Sequence, residues 1–341
     1  MIDILVAGGG PAGLATAVHA ALAGMEAVVV EPRAAPVDKA CGEGIMPSGA
    51  QALRALGIAV TGHELRGIRY RDGGRTAEAR FRERPGPGLG VRRTALHTAL
   101  HRRALELGVR IVPGKVDVDG VRQGDDRVTA AGFTARWLIA ADGLHSPLRR
   151  GLGLDVPVRA PRRYGLRRHY RIEPWSDFVE VHWSRHGEAY VTPLGDGLVG
   201  VAVLSRDRRP YEEHLTAFPQ LAPMLRGRGA GLVRGAGPLR RRARSPLAGR
   251  VLLVGDAAGY VDALTGEGIA LALATAGAAV GCLAAGDPRA YPARWAGLTR
   301  RHRLLTEALL YAARRPATAR LIVPAACRVP SAFRAAVHVL Q

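Results

Sequence analysis

The sequence predicts an α/β protein of two lobes: a domain on a parallel sheet, a second lobe on an antiparallel β-sheet, and C-terminal helices. Three observations predict it. The opening IDILVAGGGPAGLATAVHAALAGMEAVVVEP reads as apolar strand, glycine turn, helix and second apolar strand, which is a βαβ unit. Residues 163–204 change to longer alternating segments, YGLRRHYRI, FVEVHWS, EAYVTPL and GLVGVAVLS, the pattern of antiparallel strands with two unlike faces. RVLLVGDAAG at 250–259 then returns to a buried-strand pattern and leads into a long Ala-rich helix. A chain of 341 residues is long enough for two cores.

Between these landmarks, residues 32–50 read as a loop and the stretch near 48–56 as a short helix. Segments 66–72 and 76–82 pair as strands about Gly73 and Gly74, 93–107 forms a helix stopped by Gly108, and 109–112 a strand. RWLIAA at 136–141 is a buried strand ended by Asp142 and Gly143. The last ~50 residues are helical and interrupted at Pro316, Pro324 and Pro330. The resulting division is a discontinuous nucleotide-binding domain (1–65, 90–158, 245–290), a substrate-binding sheet domain (66–89, 159–244) and a helical segment (291–341). There is no internal repeat.

The formal charge of +20 raises the question of nucleic acid. Only Lys39 and Lys115 are lysines, against 47 arginines, and the abundance of Ala, Gly and Pro points to compositional bias as a sufficient cause. The excess is uneven: 226–250 holds eight arginines and no acid. Its densest part, Arg240, Arg241, Arg242 and Arg244, reads as a solvated face, or as a contact for an acidic partner or anionic membrane surface. No aromatics interleave to stack on bases, so no nucleic-acid partner is expected. Cys41, Cys282 and Cys327 are too scattered for a disulfide framework or a metal site and fit a reducing cytoplasm. The N-terminus enters an apolar strand without a leader pattern. The uncharged run 268–286 is mostly Ala and Gly and reads as a buried helix, not a membrane span.

Gly8, Gly10 and Gly13 form GxGxxG between strand and helix. The first permits the tight turn, the second lets a pyrophosphate reach the backbone, and the third lets helix and strand pack closely. The helix start, where Pro11 itself has no N–H, offers the unpaired N–H groups of Ala12 and its neighbours and positive partial charge to that pyrophosphate. Glu31 ends the second strand, where a carboxylate accepts hydrogen bonds from an unphosphorylated ribose. Gly195, Gly197 and Gly200 match the same string between two strands with no helix following, and read as a hairpin turn. The chain therefore has one nucleotide fingerprint. His97 and His101 share a helix face, but HTALH lacks the glutamate of a zinc protease and no metal is expected.

ADGLHSPLRR at 141–150 resembles the short Asp-Gly motif of flavoprotein monooxygenases, and RVLLVGDAAGYVDALTGEGIALALATA at 250–276 resembles the flavin-contacting Gly-Asp segment of the same superfamily. With RRTALHTAL at 92–100 and KACGEGIMPSG at 39–49 the resemblance runs from residue 1 to about 300 in order. It implies FAD as cofactor, held by the glycine loop with Glu31, Pro32 and Arg33, by Cys41 and Gly42, by Arg93 at the pyrophosphate (Arg92 being the alternative), by Val116 near adenine, and by Asp142 and Gly143. Asp256, after Gly255, would hydrogen-bond the ribityl chain, and the backbone from Gly266 through Gly268 to Ile269 would meet the pyrimidine edge. A helix starting near Gly268 would turn its positive end to the reduced flavin.

KACGEG and TGEGI are closer to geranylgeranyl reductase-like flavoproteins than to aromatic hydroxylases. In such reductases a cysteine lies beside the flavin, as Cys41 would; its thiol would give a proton to a C=C bond that receives hydride. Inert packing is the alternative for Cys41. Against a prenyl reductase, EAYVTPLGDG has only Tyr190 where an aromatic-rich strand is expected, and Asp262-Ala263 replaces a proline. YVTPLGDGLVGVAV resembles small-substrate hydroxylases, in which a flavin C4a-hydroperoxide passes OH to an electron-rich ring. The first expectation is thus a monooxygenase acting on an aromatic or polyketide-type small molecule in secondary metabolism, with NAD(P)H as external reductant. The second is a C=C reductase, and the third a basic surface-binding flavoprotein without turnover. Substrate is expected near Met46, Trp183, Tyr190 and Pro193. Oligomeric state is left open.

Overall fold

The computed structural model describes residues 1–339 and 341. Five parallel strands form the centre of the first sheet, in the order Arg110–Pro113, Ala27–Glu31, Ile2–Ala7, Phe133–Ala140 and Val251–Leu253. The opening strand lies in the middle, with Ile4 opposite Ala27 on one side and Trp137 on the other. It has no polar alternation because both its faces are buried. Ile4 and Val6 pack under the helices Pro11–Leu22, Arg93–Glu106 and Gly268–Ala284. Leu5 and Ala7 pack on the opposite side with Val116, Leu148 and Leu154. Each such Ile, Val or Leu side chain contributes roughly 1.5–3 kcal/mol on burial.

The second sheet has seven strands, in the order Gly229–Ala236, Tyr164–Arg171, Leu198–Ser205, Gly187–Gly195, Phe178–Ser184, Gly67–Asp72 and Arg75–Arg80. It departs from the expected all-antiparallel pattern at one joint, where Phe178–Ser184 runs parallel to Gly67–Asp72. Those two strands come from segments separated by a passage through the first lobe, so no hairpin constrains their direction. Gly195, Asp196 and Gly197 turn the Gly187–Gly195 strand into Leu198–Ser205 with positive φ at all three; no helix follows. One face of this sheet packs Val191, Val199 and Val201 against Tyr211, Phe218 and Leu221. The other carries Val179, Tyr190 and Leu204 and faces the first lobe and the C-terminal helices.

The Ala-rich run is the buried helix Gly268–Ala284, packed on Pro11–Leu22. Among the described residues no helix is long and apolar enough to cross a membrane. The C-terminal helices are Tyr291–Arg314, Pro316–Ala319, Ile322–Arg328 and Pro330–Val339. Pro316 and Pro330 open helices, whereas Pro324 does not interrupt one, contrary to expectation. It is the third residue of Ile322–Arg328, within the first turn, where no intrahelical N–H bond is due. The segment ties the lobes together: Tyr291 donates its hydroxyl proton to the Leu253 carbonyl at 2.7 Å, while Phe333 packs on Tyr70 of the second sheet. Sequence reasoning missed the three-stranded sheet Gly44–Ile45, Gly88–Gly90 and His63–Leu65, whose two- and three-residue strands are too short to show a period.

Candidate functional site

A cleft of about 450 Å³ runs from the glycine loop, between the two sheets, to the start of the Gly268–Ala284 helix. At its first end, local geometry follows from the glycines. Gly8 has φ +106 and lies against the Ala141 carbonyl, so a Cβ there would clash. A Cβ on Gly13 would overlap the Gly8 carbonyl oxygen, which is why helix and strand can approach. Gly10 faces open space, bounded only by the Arg93 guanidinium at 3.9 Å from where a Cβ would stand.

Glu31 is buried at the end of its strand and accepts from the Gly9 N–H at 2.7 Å. Its other bonds come from Arg33: the backbone N–H at 3.0 Å, Nε at 2.7 Å and Nη2 at 3.1 Å. Burial acts to raise the Glu31 pKa, but the Arg33 and Gly9 bonds outweigh it and hold the group below its ordinary value. The Arg33 side chain is 51% exposed, so it can swing away and free acceptor sites for a diol.

Pro11, Ala12, Pro32, Cys41, Gly42, Val116, Asp142, Gly143, Asp256, Gly266, Gly268 and Ile269 all line the same cleft, as do Met46 and Tyr190. Three features fit a bound dinucleotide. Among the described residues the buried Arg93 Nη1 has no hydrogen-bond partner, and the side chain faces the Gly10 loop. The Asp142 Oδ1 on the wall is likewise buried and without a partner among the described residues. Asp256 is desolvated, which raises its pKa against the pull of Lys39, Arg93 and Arg149. Unmet donors and acceptors of this kind are costly unless a polar ligand meets them.

Four expected residues do not line the cleft. Gly13 and Gly255 lie behind it; a Cβ on Gly255 would stand 2.8 Å from the Ala12 methyl, so its place is in packing. Pro193 is three residues from Tyr190, and strand alternation puts it on the opposite face of the sheet. Trp183 shares the Val179 face but lies further along the strand, edge-on to Tyr70 at 5.3 Å under the C-terminal helices. These placements correct the substrate wall expected for Trp183 and Pro193.

Sequence reasoning missed the clamp on the loop that carries Cys41. The second sheet holds this loop at three points. Arg167 Nη2 donates to Asp38 at 2.8 Å, the Thr192 hydroxyl donates to the Gly42 carbonyl at 2.8 Å, and His169 Nε2 meets Glu43 Oε2 at 2.7 Å. Glu43 is 1% exposed at φ +60; it also accepts from the Arg93 N–H at 2.8 Å and donates its own N–H to Cys41 Sγ at 3.3 Å. Burial, the largest cause, pushes the Cys41 thiol pKa up, so the sulfur keeps its proton at neutral pH. Lys39 and Lys115 both border the cleft as well. In a chain that otherwise uses arginine, their rarity was the available signal.

The fold and the site define an FAD-dependent oxidoreductase. Residues 1–165 match the family model described as FAD binding domain. The chain is 32% identical to the menaquinone reductase of Mycolicibacterium smegmatis (strain ATCC 700084 / mc(2)155), over 88% of this chain and 80% of that protein. It is 30% identical to digeranylgeranylglycerophospholipid reductase 1 of Methanothermobacter thermautotrophicus, over 79% of this chain and 73% of that protein. The fold is shared with the flavin-dependent brominase Bmp2, at TM-score 0.80 and 17% identity, over 99% of this chain and 93% of that one. The chain belongs to the class A flavoprotein monooxygenase and geranylgeranyl reductase-like superfamily.

Proposed function

We propose that the chain reduces a C=C bond of an isoprenoid substrate, the reading placed second from sequence. The observation that carries it is the pairing of a protonated, desolvated Cys41 thiol with an apolar wall of Met46, Leu144, Leu166, Val179, Leu204 and Leu239 in one cleft. Two polar side chains of that wall already have partners: the Tyr190 hydroxyl donates to the Leu264 carbonyl at 2.8 Å and Thr192 to Gly42. A hydrocarbon chain therefore meets neither of them as an unmet hydrogen-bonding group. Bound FAD supplies hydride in a reductase, or activated oxygen in an oxygenase. Cys41 holds a proton at Sγ for the carbon left electron-rich, and the apolar wall excludes water. The names of the two curated relatives support the same assignment.

The residues assigned to FAD are Gly8, Gly10, Pro11, Ala12, Glu31, Pro32, Arg33, Cys41, Gly42, Arg93, Val116, Asp142, Gly143, Asp256, Gly266, Gly268 and Ile269 on the cleft, and NAD(P)H is assigned as external reductant. Hydroxylation of an aromatic or polyketide-type molecule is the second reading, favoured by the Tyr190 and Tyr260 rings on the wall. Anaerobic turnover separates the two. Enzyme reduced under nitrogen and given a prenylated quinone or a geranylgeranyl lipid is expected to yield a product heavier by two hydrogens, with no oxygen added. Cys41→Ser is expected to keep its flavin spectrum and lose about 100-fold in rate. Turnover that requires oxygen overturns the assignment.

A further inference from the structure

The helix Tyr291–Arg314 has two unlike sides. Inward, Thr299, His302, Thr306 and Leu310 are buried. Outward, Arg301, Leu304 and Tyr311 follow at spacings of three and seven, which places them on one stripe, and Arg315, just past the helix end, lies over the Tyr311 ring. Leu304 is 61% and Tyr311 62% exposed, so large apolar groups project between two exposed guanidinium groups.

Positive charge dominates this side, although Glu307 lies on the same stripe between Leu304 and Tyr311. From 291 to 341 there are nine arginines and a single acid, Glu307, and Glu307 is occupied by Arg240 at 2.6 Å. Among the described residues, none of those nine arginines has a carboxylate within ion-pair distance. The cationic surface continues across a crevice bordered by Arg241, Arg242, Trp295 and Arg303. The arginine cluster of 240–244 and the helix thus form one face.

We propose that this face docks on an anionic lipid surface. Arginines meet the phosphates, and Leu304 and Tyr311 enter the boundary between headgroups and acyl chains. A solvated cationic face would not need the two projecting apolar groups, and a nucleic-acid face would need open rings for stacking, whereas Arg315 lies over Tyr311 at 5.7 Å. The inference does not depend on which reaction the cleft performs.

Flotation of the flavin-loaded chain with vesicles tests it. Binding is expected to phosphatidylcholine vesicles containing about one-third phosphatidylglycerol, and to fall with added salt. Binding to pure phosphatidylcholine is expected to be weak. Arg301→Gln with Arg315→Gln is expected to lower the partition coefficient by about 25-fold, roughly fivefold per arginine. Leu304→Ser with Tyr311→Ser is expected to lower it about tenfold and to abolish the part that resists salt. Each variant is compared only after its flavin spectrum and melting temperature match the parent, and the salt titration of the unaltered chain stands without any variant. Failure of the unaltered chain to float, equal binding to neutral and anionic vesicles, or variants that bind like the parent overturn the proposal. So does tighter binding to duplex DNA than to vesicles that ignores the Leu304 and Tyr311 changes, which would mark a nucleic-acid face.

Discussion

His169 Nε2 lies 2.7 Å from Glu43 Oε2, and this buried contact joins the second sheet to the loop that carries Cys41. The same carboxylate takes the Arg93 N–H at the start of a first-lobe helix, so one side chain holds three elements in register. His169→Ala leaves a buried carboxylate short of a donor, at a cost of about 1–3 kcal/mol. Urea unfolding is expected to show a lower midpoint with unchanged slope. In a background lacking Cys282 and Cys327, alkylation of Cys41 is expected to accelerate as the loop loosens. His169→Gln, which keeps a donor, is expected to recover part of both. An alkylation rate unaltered in His169→Ala would show that Glu43 does not position the loop.

Two glycines predict opposite responses to alanine. Gly13→Ala drives a methyl into the Gly8 carbonyl and must separate helix from strand; a loss of about 3 kcal/mol is expected, with FAD released on gel filtration. Gly297 lies in the Tyr291–Arg314 helix with nothing within 4 Å of a new Cβ. Gly297→Ala is expected to stabilise by about 0.5–1 kcal/mol, because the unfolded chain loses freedom and the helix gains propensity. Calorimetry of both variants and the parent, all stripped of FAD, decides the stabilities.

What was legible in the sequence was whatever repeats locally. The first βαβ unit, the Arg93–Glu106 helix and the four strands between 164 and 205 each show their period over several residues. The glycine loop was legible because Gly8, Gly10 and Gly13 answer to backbone geometry alone. Pro193 was legible in principle, since its odd spacing from Tyr190 assigns it to the other face. Trp183 was not, because its cover comes from helices more than a hundred residues later. Glu43, Arg167 and His169 were invisible for the same reason: their partners are distant in sequence, and each alone reads as an ordinary surface residue.

Arg163 predicts a case where one change is worse than three. It sits buried between two carboxylates, Nη2 to Glu188 at 2.6 Å and Nε to Asp262 at 3.0 Å. The two acids hold its pKa above the ordinary value against desolvation. Asp262 stands where the resemblance leads one to expect proline, and this bond gives it a structural role. Arg163→Met leaves two uncompensated buried acids and is expected to cost about 3–5 kcal/mol. Adding Glu188→Leu and Asp262→Leu is expected to restore most of it, as measured by unfolding free energy. If the triple variant remains as unstable as Arg163→Met, the pairing is not what sets the cost.

The remaining prediction concerns acid. His97 is 2% exposed beneath the glycine loop, its Nε2 3.0 Å from the Gly9 carbonyl. Because the carbonyl only accepts, Nε2 carries the proton of a neutral ring, and Nδ1 has no partner among the described residues. Burial first, and then the Arg93 charge, push the His97 pKa down to about 4. The unfolded chain takes up a proton near the ordinary value of 6.5, so between those two values the unfolded state binds more protons than the folded one. The contribution is complete above pH 6.5, falls as pH drops, and is exhausted near pH 4, amounting to about 3 kcal/mol. His19, His145 and His214 have pKa values lowered by burial and add slope of the same sign. His97→Gln retains an N–H for Gly9 and cannot titrate. It is expected to remove up to one proton from the slope of unfolding free energy against pH between 4 and 6.5, and to leave the value at pH 8 within about 1 kcal/mol of the parent. A slope equal to the parent's would mean that His97 titrates alike folded and unfolded, and that the loop above it is open to water.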